Sequence, residues 1–177
     1  LIREVVLKFA SNLRYLELKG YYGTECICDN FFHHCQQLKT LRLKAILPDF
    51  ARLRQIMIPK TLTALYLIEV ECPSVLDLVL SETERLETLC ITPVRALNKS
   101  VTIYQELSSL NYLHINGFNP VELCEDLNSL KTLEIESPSS VAAQRLESLE
   151  KLGYLDSEEG EITQSFAFLN PKCKVIY

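Results

Sequence analysis

One phrase, L-x-x-L-x-[L/I], recurs along the chain and restricts its fold more than any other feature. Six clear copies follow at steps of 20 to 25 residues: LRYLEL at Leu13, LKTLRL at Leu38, LTALYL at Leu62, LETLCI at Leu86, LNYLHI at Leu110 and LKTLEI at Leu130. A weaker copy, LEKLGY, begins at Leu149, and NPKCKV from Asn170 fits a last, degenerate copy. Because side chains alternate along a strand, the last two apolar positions of each phrase point inward and their neighbours point outward.

The segments between the phrases have patterns that indicate helices returning the chain to its next strand. These segments are DNFFHHCQQL, DFARLRQIM, SVLDLVLSETERL, SVTIYQELSSL, VELCEDLNSL and SVAAQRLESL. The opening stretch LIREVVLKFA also predicts an amphipathic helix, because Ile2, Val5, Val6, Phe9 and Leu13 recur at helical spacing. Strands joined by right-handed crossovers run parallel, so the expected fold is an α/β solenoid with about seven to eight repeats.

This pattern resembles the leucine-rich-repeat superfamily over nearly the whole of residues 1–177, as a single domain. The resemblance implies a curved right-handed horseshoe, with a parallel sheet on the concave side and helices on the convex side. In that family an Asn or Cys usually stands three residues after the last Leu of the phrase. Here the position holds Tyr21, Ile46, Val70, Val94, Phe118 and Pro138. We therefore expect irregular turns.

Two phrases are similar to those of F-box leucine-rich-repeat proteins: CQQLKTLRL (Cys35 to Leu43) and NPKCKVIY (Asn170 to Tyr177). The resemblance implies the substrate-receptor arm of a ubiquitin ligase, in which an F-box outside this sequence binds a Skp adaptor and a cullin scaffold. The chain starts without Met and without the layout of a secretory signal, so it is expected to be a fragment of a longer protein.

Composition argues against two classes of partner and favours an intracellular location. The net charge is −5 and no run of Lys or Arg occurs, which argues against a nucleic-acid partner. No window of about eighteen uninterrupted apolar residues is present, so no membrane span is expected. Seven cysteines is an odd number, and their spacing shows no disulfide framework. A reducing compartment, the cytoplasm or nucleus, is therefore expected.

A cluster of possible metal ligands lies before the second phrase: Cys26, Cys28, His33, His34 and Cys35. A structural zinc site needs about four ligands that converge tetrahedrally. Cys35 lies three residues before the first Leu of its phrase, in a column of small or apolar residues that faces the core. The cluster is therefore interpreted as part of a helix and a turn, and neither a metal nor a cofactor is predicted.

Outward-facing positions of the strands form three columns that are candidates for binding a protein or peptide. The central column is Glu17, Arg42, Tyr66, Cys90, His114, Glu134, Gly153 and Lys174. The preceding column is Tyr15, Thr40, Ala64, Thr88, Tyr112, Thr132 and Lys151, and the following column is Lys19, Lys44, Ile68, Thr92, Asn116 and Glu136. The candidate partner-binding residues are Tyr15, Glu17, Lys19, Arg42, Lys44, Tyr66, Ile68, Cys90, Tyr112, His114, Asn116 and Glu134.

Several functional hypotheses follow from these columns. The first is a non-enzymatic protein-recognition module, because Tyr and Arg are enriched at interface hot spots. A stand-alone scaffold or inhibitor is an alternative, and a solvated face with cross-strand pairs such as Glu17 with Arg42 is the simplest interpretation. A remote alternative is a thiol enzyme with Cys90, His114 and Glu134 as nucleophile, base and orienting acid. Against the enzyme, no glycine turn or helix N-terminus supplies an oxyanion hole beside Cys90. A modestly activated thiol at Cys90 is a weaker version of that hypothesis.

Overall fold

The computed structural model describes residues 2–20, 34–45, 59–70, 85–93, 101–103, 107–117, 121–123, 127, 129–135, 141–142, 150–154 and 174–176. Helix α1 spans Ile2–Phe9 and continues into a 3₁₀ turn at Ala10–Asn12. The strands are β1 Tyr15–Lys19, β2 Thr40–Lys44, β3 Ala64–Val70, β4 Thr88–Pro93, β5 Val101–Ile103, β6 Tyr112–Ile115, β7 Val121–Leu123, β8 Thr132–Ile135, β9 Val141–Ala142, β10 Lys151–Tyr154 and β11 Lys174–Ile176.

The repeated phrases form one eight-stranded sheet in the order β1-β2-β3-β4-β6-β8-β10-β11, with every described pairing parallel. Each strand therefore lies beside the strand of the next phrase, as the repeat predicts. The register is also confirmed for the six clear phrases: Leu41 pairs with Leu65, Leu65 with Leu89 and Leu89 with Leu113. The described residues thus show a long parallel sheet and one α-helix, which is compatible with the expected α/β class.

The core is a ladder of aliphatic side chains from the inward positions. Residues no more than 2% exposed at these positions are Leu41, Leu43, Leu65, Leu67, Leu89, Ile91, Leu113, Ile115, Leu133 and Ile135. The first Leu of five successive phrases is also fully buried: Leu38, Leu62, Leu86, Leu110 and Leu130. Burial of one Leu side chain contributes about 1.5–3 kcal/mol, so the repeated phrase supplies most of the favourable free energy of this sheet.

Backbone hydrogen bonds at the start of each strand fix its register with the neighbouring strand. The Arg14 carbonyl accepts from the N–H groups of Lys39 (2.8 Å) and Thr40 (3.0 Å), at the start of β2. The same two-donor arrangement recurs at the carbonyls of Lys39, Thr63, Glu87, Asn111 and Lys131. These bonds satisfy backbone groups that would otherwise be buried and unpaired, so they hold the register of the sheet.

Three of the predicted helical returns are wrong where the structure describes them. SVTIYQELSSL, VELCEDLNSL and SVAAQRLESL contain strands β5, β7 and β9, which form a second, three-stranded parallel sheet in that order. The described residues of these segments are rich in β-branched Val, Ile and Thr, which favour strands over helices. DFARLRQIM lies outside the described residues, as do the first five residues of DNFFHHCQQL and most of SVLDLVLSETERL.

Helix α1 confirms the first predicted helix, and β1 is the end strand of the large sheet. Ala10, after the helix, is buried, but Val5 and Phe9 are 53% and 56% exposed. Part of the apolar side of α1 therefore remains open to solvent. Among the described residues, no helix has the length and apolar character needed to cross a membrane.

The last strand has a different register from the predicted one. Lys174 pairs with Lys151, and Ile176 rather than Lys174 stands beside Gly153 in the central column. Val175 pairs with Leu152, where the predicted register placed Cys173. A shift of two residues preserves which side chains face the core, and alternation alone could not distinguish the two registers.

A left-handed backbone conformation recurs two residues after the last apolar position of the phrase. Gly20 (φ 107°), Ala45 (φ 50°), Glu69 (φ 52°) and Gly117 (φ 76°) all occupy this position. The fourth phrase has Pro93 there, and proline cannot adopt positive φ. The pairing of β3 with β4 is accordingly irregular: Ile68 pairs with Thr92, whereas Val70, not Glu69, pairs with Pro93. Of the positions on which the expectation of irregular turns rests, the structure describes Val70 alone, and the others lie outside the described residues.

We expect Ala45→Gly to stabilise the protein by up to about 1 kcal/mol, because a left-handed conformation costs a residue with a Cβ about 1–2 kcal/mol. Urea unfolding monitored by circular dichroism measures the change. Ala64→Gly is the matched control: Ala64 lies in β3 without positive φ, so its replacement should destabilise. Equal destabilisation by the two substitutions would contradict the assigned strain at Ala45.

Candidate functional site

The face of the large sheet opposite the leucine ladder carries the central row: Glu17, Arg42, Tyr66, Cys90, His114 and Glu134. Each of these residues is the direct pairing partner of the next across six adjacent strands. All six are half-buried. Buried Leu or Ile residues stand before and after each member from Arg42 to Glu134, and buried Leu16 precedes Glu17, so these side chains project from a rigid surface.

The first cluster of the site surrounds the Glu17 carboxylate at the β1 end. The Tyr15 hydroxyl donates to Glu17 Oε2 at 2.8 Å, and Lys19 Nζ lies 3.2 Å from Glu17 Oε1. Arg42 Nε lies 3.5 Å from the same Oε1. The hydrogen bonds from Tyr15 and Lys19 lower the pKa of Glu17, and the bond to Glu17 raises the pKa of Tyr15. The predicted pairing of Glu17 with Arg42 is therefore observed as an ion pair.

An aromatic contact joins this cluster to the centre of the row. The guanidinium carbon of Arg42 lies 5.5 Å from the centre of the Tyr66 ring, within the range of a cation–π interaction. Tyr66 is half-buried, and it pairs with Arg42 on one side and with Cys90 on the other. The ring thus restricts the orientation of the Arg42 guanidinium.

Cys90 is a free, half-buried thiol at the centre of the row. Burial, with a smaller contribution from Glu134, raises the pKa of Cys90 from its ordinary value near 9 to about 11, although Arg42 opposes the rise. The thiolate is the nucleophilic form of cysteine, and the raised pKa of Cys90 disfavours that form near neutral pH. The expectation of a modestly activated thiol at Cys90 is therefore wrong.

The second cluster of the site surrounds the Glu134 carboxylate. The Tyr112 hydroxyl donates to Glu134 Oε2 at 2.7 Å, and His114 Nδ1 lies 2.8 Å from the same oxygen. An ionised carboxylate only accepts hydrogen bonds, so Nδ1 of His114 carries the proton that it donates to Glu134. The other ring nitrogen, Nε2, takes no part in this bond. Burial opposes ionisation of Glu134, but the bonds from Tyr112 and His114 outweigh it and lower its pKa.

Tyr112 is the contact that the column pattern did not reveal, because it stands in the preceding column and reaches diagonally to Glu134. Long aromatic side chains are able to reach such diagonal neighbours. The presence of a tyrosine diagonal to Glu134 was therefore the sequence feature from which this contact could have been predicted. Burial, together with the Glu134 hydrogen bond, raises the pKa of Tyr112 well above its usual range. Glu134 thus binds both of its neighbours on β6, and the predicted orientation of His114 by Glu134 is present.

The following column supplies the rest of the candidate residues. Ile68 pairs with Thr92, and Asn116 donates its backbone N–H to the Ile91 carbonyl at 3.1 Å. Lys44 Nζ lies 3.7 Å from a Glu69 carboxylate oxygen, with both side chains substantially exposed. The predicted basic end therefore has carboxylate partners for Lys19, Arg42 and Lys44. Glu136, predicted at the acidic end, lies outside the described residues.

The Cys/His cluster before the second phrase is described only at His34 and Cys35. Cys35 is 0% exposed, as predicted for a core position, and burial raises its pKa. Its carbonyl accepts from the Leu38 N–H at 3.0 Å, in the turn before β2. Cys26, Cys28 and His33 lie outside the described residues. Within the part of the chain that the structure describes, no three His, Cys, Asp or Glu side chains are placed to hold a metal ion.

We expect the free energy of unfolding to fall on the alkaline side of about pH 9, where an unfolded cysteine begins to ionise. The pKa of Cys90 is higher in the folded than in the unfolded protein. Its contribution to the free energy of unfolding is therefore complete below the unfolded pKa and is lost as pH rises through about 11. Urea unfolding at a series of alkaline pH values, under reducing conditions, measures this slope. Cys90→Ser should make the slope shallower, whereas identical slopes would contradict the burial of this thiol.

Comparison with known proteins adds no relative to this description: the chain matches no protein-family model, and no curated protein matches it.

Proposed function

We propose that this chain is a non-enzymatic protein-recognition module, and that the central row and its flanking columns bind a protein or peptide partner. The proposed architecture is a leucine-rich-repeat horseshoe of about seven to eight repeats, with the large sheet on its concave side. The described parallel sheet is compatible with that shape. The proposed location is inside the cell, in the cytoplasm or nucleus, because the seven cysteines are odd in number and show no disulfide framework. The proposal includes no metal or cofactor.

The observation that carries the proposal is the continuity of the central row across six paired strands. Its tyrosine and arginine belong to the residue types that dominate binding energy at interfaces. Contacts within the sheet already orient Arg42 through Tyr66 and Glu134 through Tyr112 and His114. Side chains that are ordered before binding lose less conformational entropy when a partner docks.

A more specific form of the proposal is the substrate-receptor arm of an F-box ubiquitin ligase. It is supported by the similarity of CQQLKTLRL and NPKCKVIY to the repeats of such proteins. In this form, an F-box elsewhere in the protein binds the Skp adaptor and the cullin scaffold, while the large sheet captures the substrate. Co-purification of the full-length protein with a Skp adaptor is expected. If the full-length protein has no F-box and does not bind the adaptor, the ubiquitin-ligase form of the proposal is wrong. The general proposal of a protein-recognition module would remain.

The general proposal is tested by affinity capture from cells, with the wild-type protein and two variants. Arg42→Ala alters the central row, and Gln36→Ala alters an exposed residue in the turn before β2. We expect the row variant to lose the captured protein and the Gln36 variant to retain it, with both proteins folded by circular dichroism. Loss with Gln36→Ala and retention with Arg42→Ala would show that another surface binds.

A further inference from the structure

Arg42 holds a cationic group that its neighbours satisfy only in part. Its Nε atom is buried and makes no hydrogen bond among the described residues, because Glu17 Oε1 lies 3.5 Å away without hydrogen-bond geometry. The Arg42 side chain as a whole is nevertheless 39% exposed. The buried part is therefore held by the sheet, while the exposed part of the side chain is open to a ligand.

Glu17 is already engaged by other groups, which limits what it gives to Arg42. Its Oε2 accepts the Tyr15 hydroxyl, and its Oε1 lies closer to Lys19 Nζ (3.2 Å) than to Arg42 Nε (3.5 Å). One carboxylate thus serves two cations. Breaking the ion pair between Arg42 and Glu17 is not required for a second acceptor to bind, because a guanidinium has five N–H donors.

The ion pairs at this end of the sheet leave an excess of positive charge. Lys19, Arg42 and Lys44 are paired with only two carboxylates among the described residues, those of Glu17 and Glu69. The whole chain, in contrast, has a net charge of −5. A local positive surface on an acidic protein favours a ligand that presents negative charge at this end of the row.

The charge of Arg42 acts over several strands of the sheet. It opposes the rise that burial imposes on the pKa of Cys90, and the rise that the Glu17 hydrogen bond imposes on the pKa of Tyr15. Tyr15 lies on β1 and Cys90 on β4. The charge of Arg42 is therefore felt on both sides of β2, at Tyr15 and at Cys90, whereas the Glu134 charge acts in the opposite sense at Cys90.

We infer that the Arg42 guanidinium, held against the Tyr66 ring, binds a carboxylate of an extended peptide segment of the partner. This inference rests on the proposed function and specifies its ligand. Arginine suits the role because its planar group donates two parallel hydrogen bonds to a carboxylate. The half-buried Tyr66, Ile68 and Cys90 form the less polar surface beside it, on which the neighbouring residue of the peptide packs.

The carboxylate has two sources in a peptide, an Asp or Glu side chain or a free C-terminus. Selection of a displayed random peptide library on the whole chain tests the inference and does not require the partner to be identified. We expect peptides selected on the wild-type protein to be enriched in Asp and Glu, and those selected on Arg42→Gln to lose this enrichment. Lys39→Gln is the matched control, because it removes one positive charge from an exposed residue that lies just before β2 and outside the three columns; it should retain the enrichment.

A double-mutant cycle on one selected peptide then assigns the contact. Replacing the selected Asp by Asn should weaken binding to wild type about tenfold or more, since a hydrogen bond to a charged group contributes about 1.5–3 kcal/mol. The same replacement should have little effect on binding to Arg42→Gln. Amidation of the peptide C-terminus distinguishes the two carboxylate sources. It removes a C-terminal carboxylate and leaves an Asp or Glu side chain unchanged.

Four outcomes decide the inference. The inference is supported if the enrichment of Asp and Glu disappears with Arg42→Gln. It is also supported if binding requires a C-terminal carboxylate and Arg42→Gln removes that requirement. Selected peptides without an acidic preference overturn it and leave the proposed function intact. An Asp→Asn penalty that is unchanged in Arg42→Gln also overturns it. Failure of the wild-type chain to enrich any peptide counts against the proposed function and this inference together. Arg42→Lys, which keeps the charge without the planar group, gives an intermediate result if Arg42→Gln proves unstable.

Discussion

Leu89→Ala is expected to lower the free energy of unfolding by about 2–5 kcal/mol, whereas Thr88→Ala should change it by no more than about 0.5 kcal/mol. Leu89 is 0% exposed and pairs with Leu65 and Leu113, both in the same buried ladder. Truncation removes buried methyl groups and leaves a cavity that rigid neighbouring strands cannot close. Thr88, one residue earlier, is half-buried on the opposite face, beside Ala64 and Tyr112.

Urea unfolding of the two variants, followed by circular dichroism and by intrinsic tyrosine fluorescence, measures this difference. The two substitutions are adjacent in sequence, so a general sensitivity of β4 would affect both. A large effect of Leu89→Ala alone confirms the inward and outward assignment for the strand. Similar losses in the two variants would mean that the assigned face of β4 is wrong.

Tyr66→Ala is expected to weaken binding of a captured partner by roughly thirtyfold, since truncation of a hot-spot residue costs about 2 kcal/mol or more. The substitution removes the central aromatic surface and also the ring against which Arg42 is held. Without the ring, the Arg42 side chain is free to move. The loss of affinity should therefore be at least as large as the loss from missing aromatic contacts alone. Fold stability should change little, because the inward Leu65 and Leu67 remain.

The measurement is a titration of the purified partner by calorimetry, with Tyr66→Phe and Gln36→Ala as controls. Tyr66→Phe retains the ring and should retain most of the affinity, whereas Gln36→Ala should have no effect. Added salt should weaken binding through the exposed charges of Lys19, Arg42 and Lys44, because charges separated by about 10 Å are screened at about 0.1 M ionic strength. Undiminished affinity of Tyr66→Ala would exclude the central row as the main contact.

Much of the large sheet was predictable because its signal is local and repeated. The spacing of Leu41 and Leu43, repeated at Leu65 and Leu67 and again at Leu89 and Ile91, sets which side chains are buried in each strand. The repeat length then sets which residues stand beside one another, so the repeat alone places Glu17, Arg42, Tyr66, Cys90, His114 and Glu134 in one row. Helix α1 followed from the same kind of periodicity.

The return segments show where periodicity stops being decisive. Val101–Ile103 and Val121–Leu123 are three-residue segments with a polar residue between two apolar ones, and segments this short fit the start of a helix and a strand almost equally well. Only pairing with a neighbouring segment decides between them, because a strand gains its hydrogen bonds from another part of the chain. The register of Lys174–Ile176 was undecided for a related reason, since two candidate registers bury the same alternate side chains.

The chemistry of the central row depended on tertiary contacts that the sequence does not encode locally. Sequence order placed His114 between Cys90 and Glu134, and the structure adds that Glu134 receives hydrogen bonds from both His114 and Tyr112. Burial, which depends on side chains from adjacent strands, raises the pKa of Cys90 and favours its thiol form near neutral pH. By itself the sequence determined the repeat, the inward ladder and the members of the row. The tertiary structure decided the second sheet, the last register and the hydrogen bonds around Glu134, because each of these depends on contacts between residues distant in sequence.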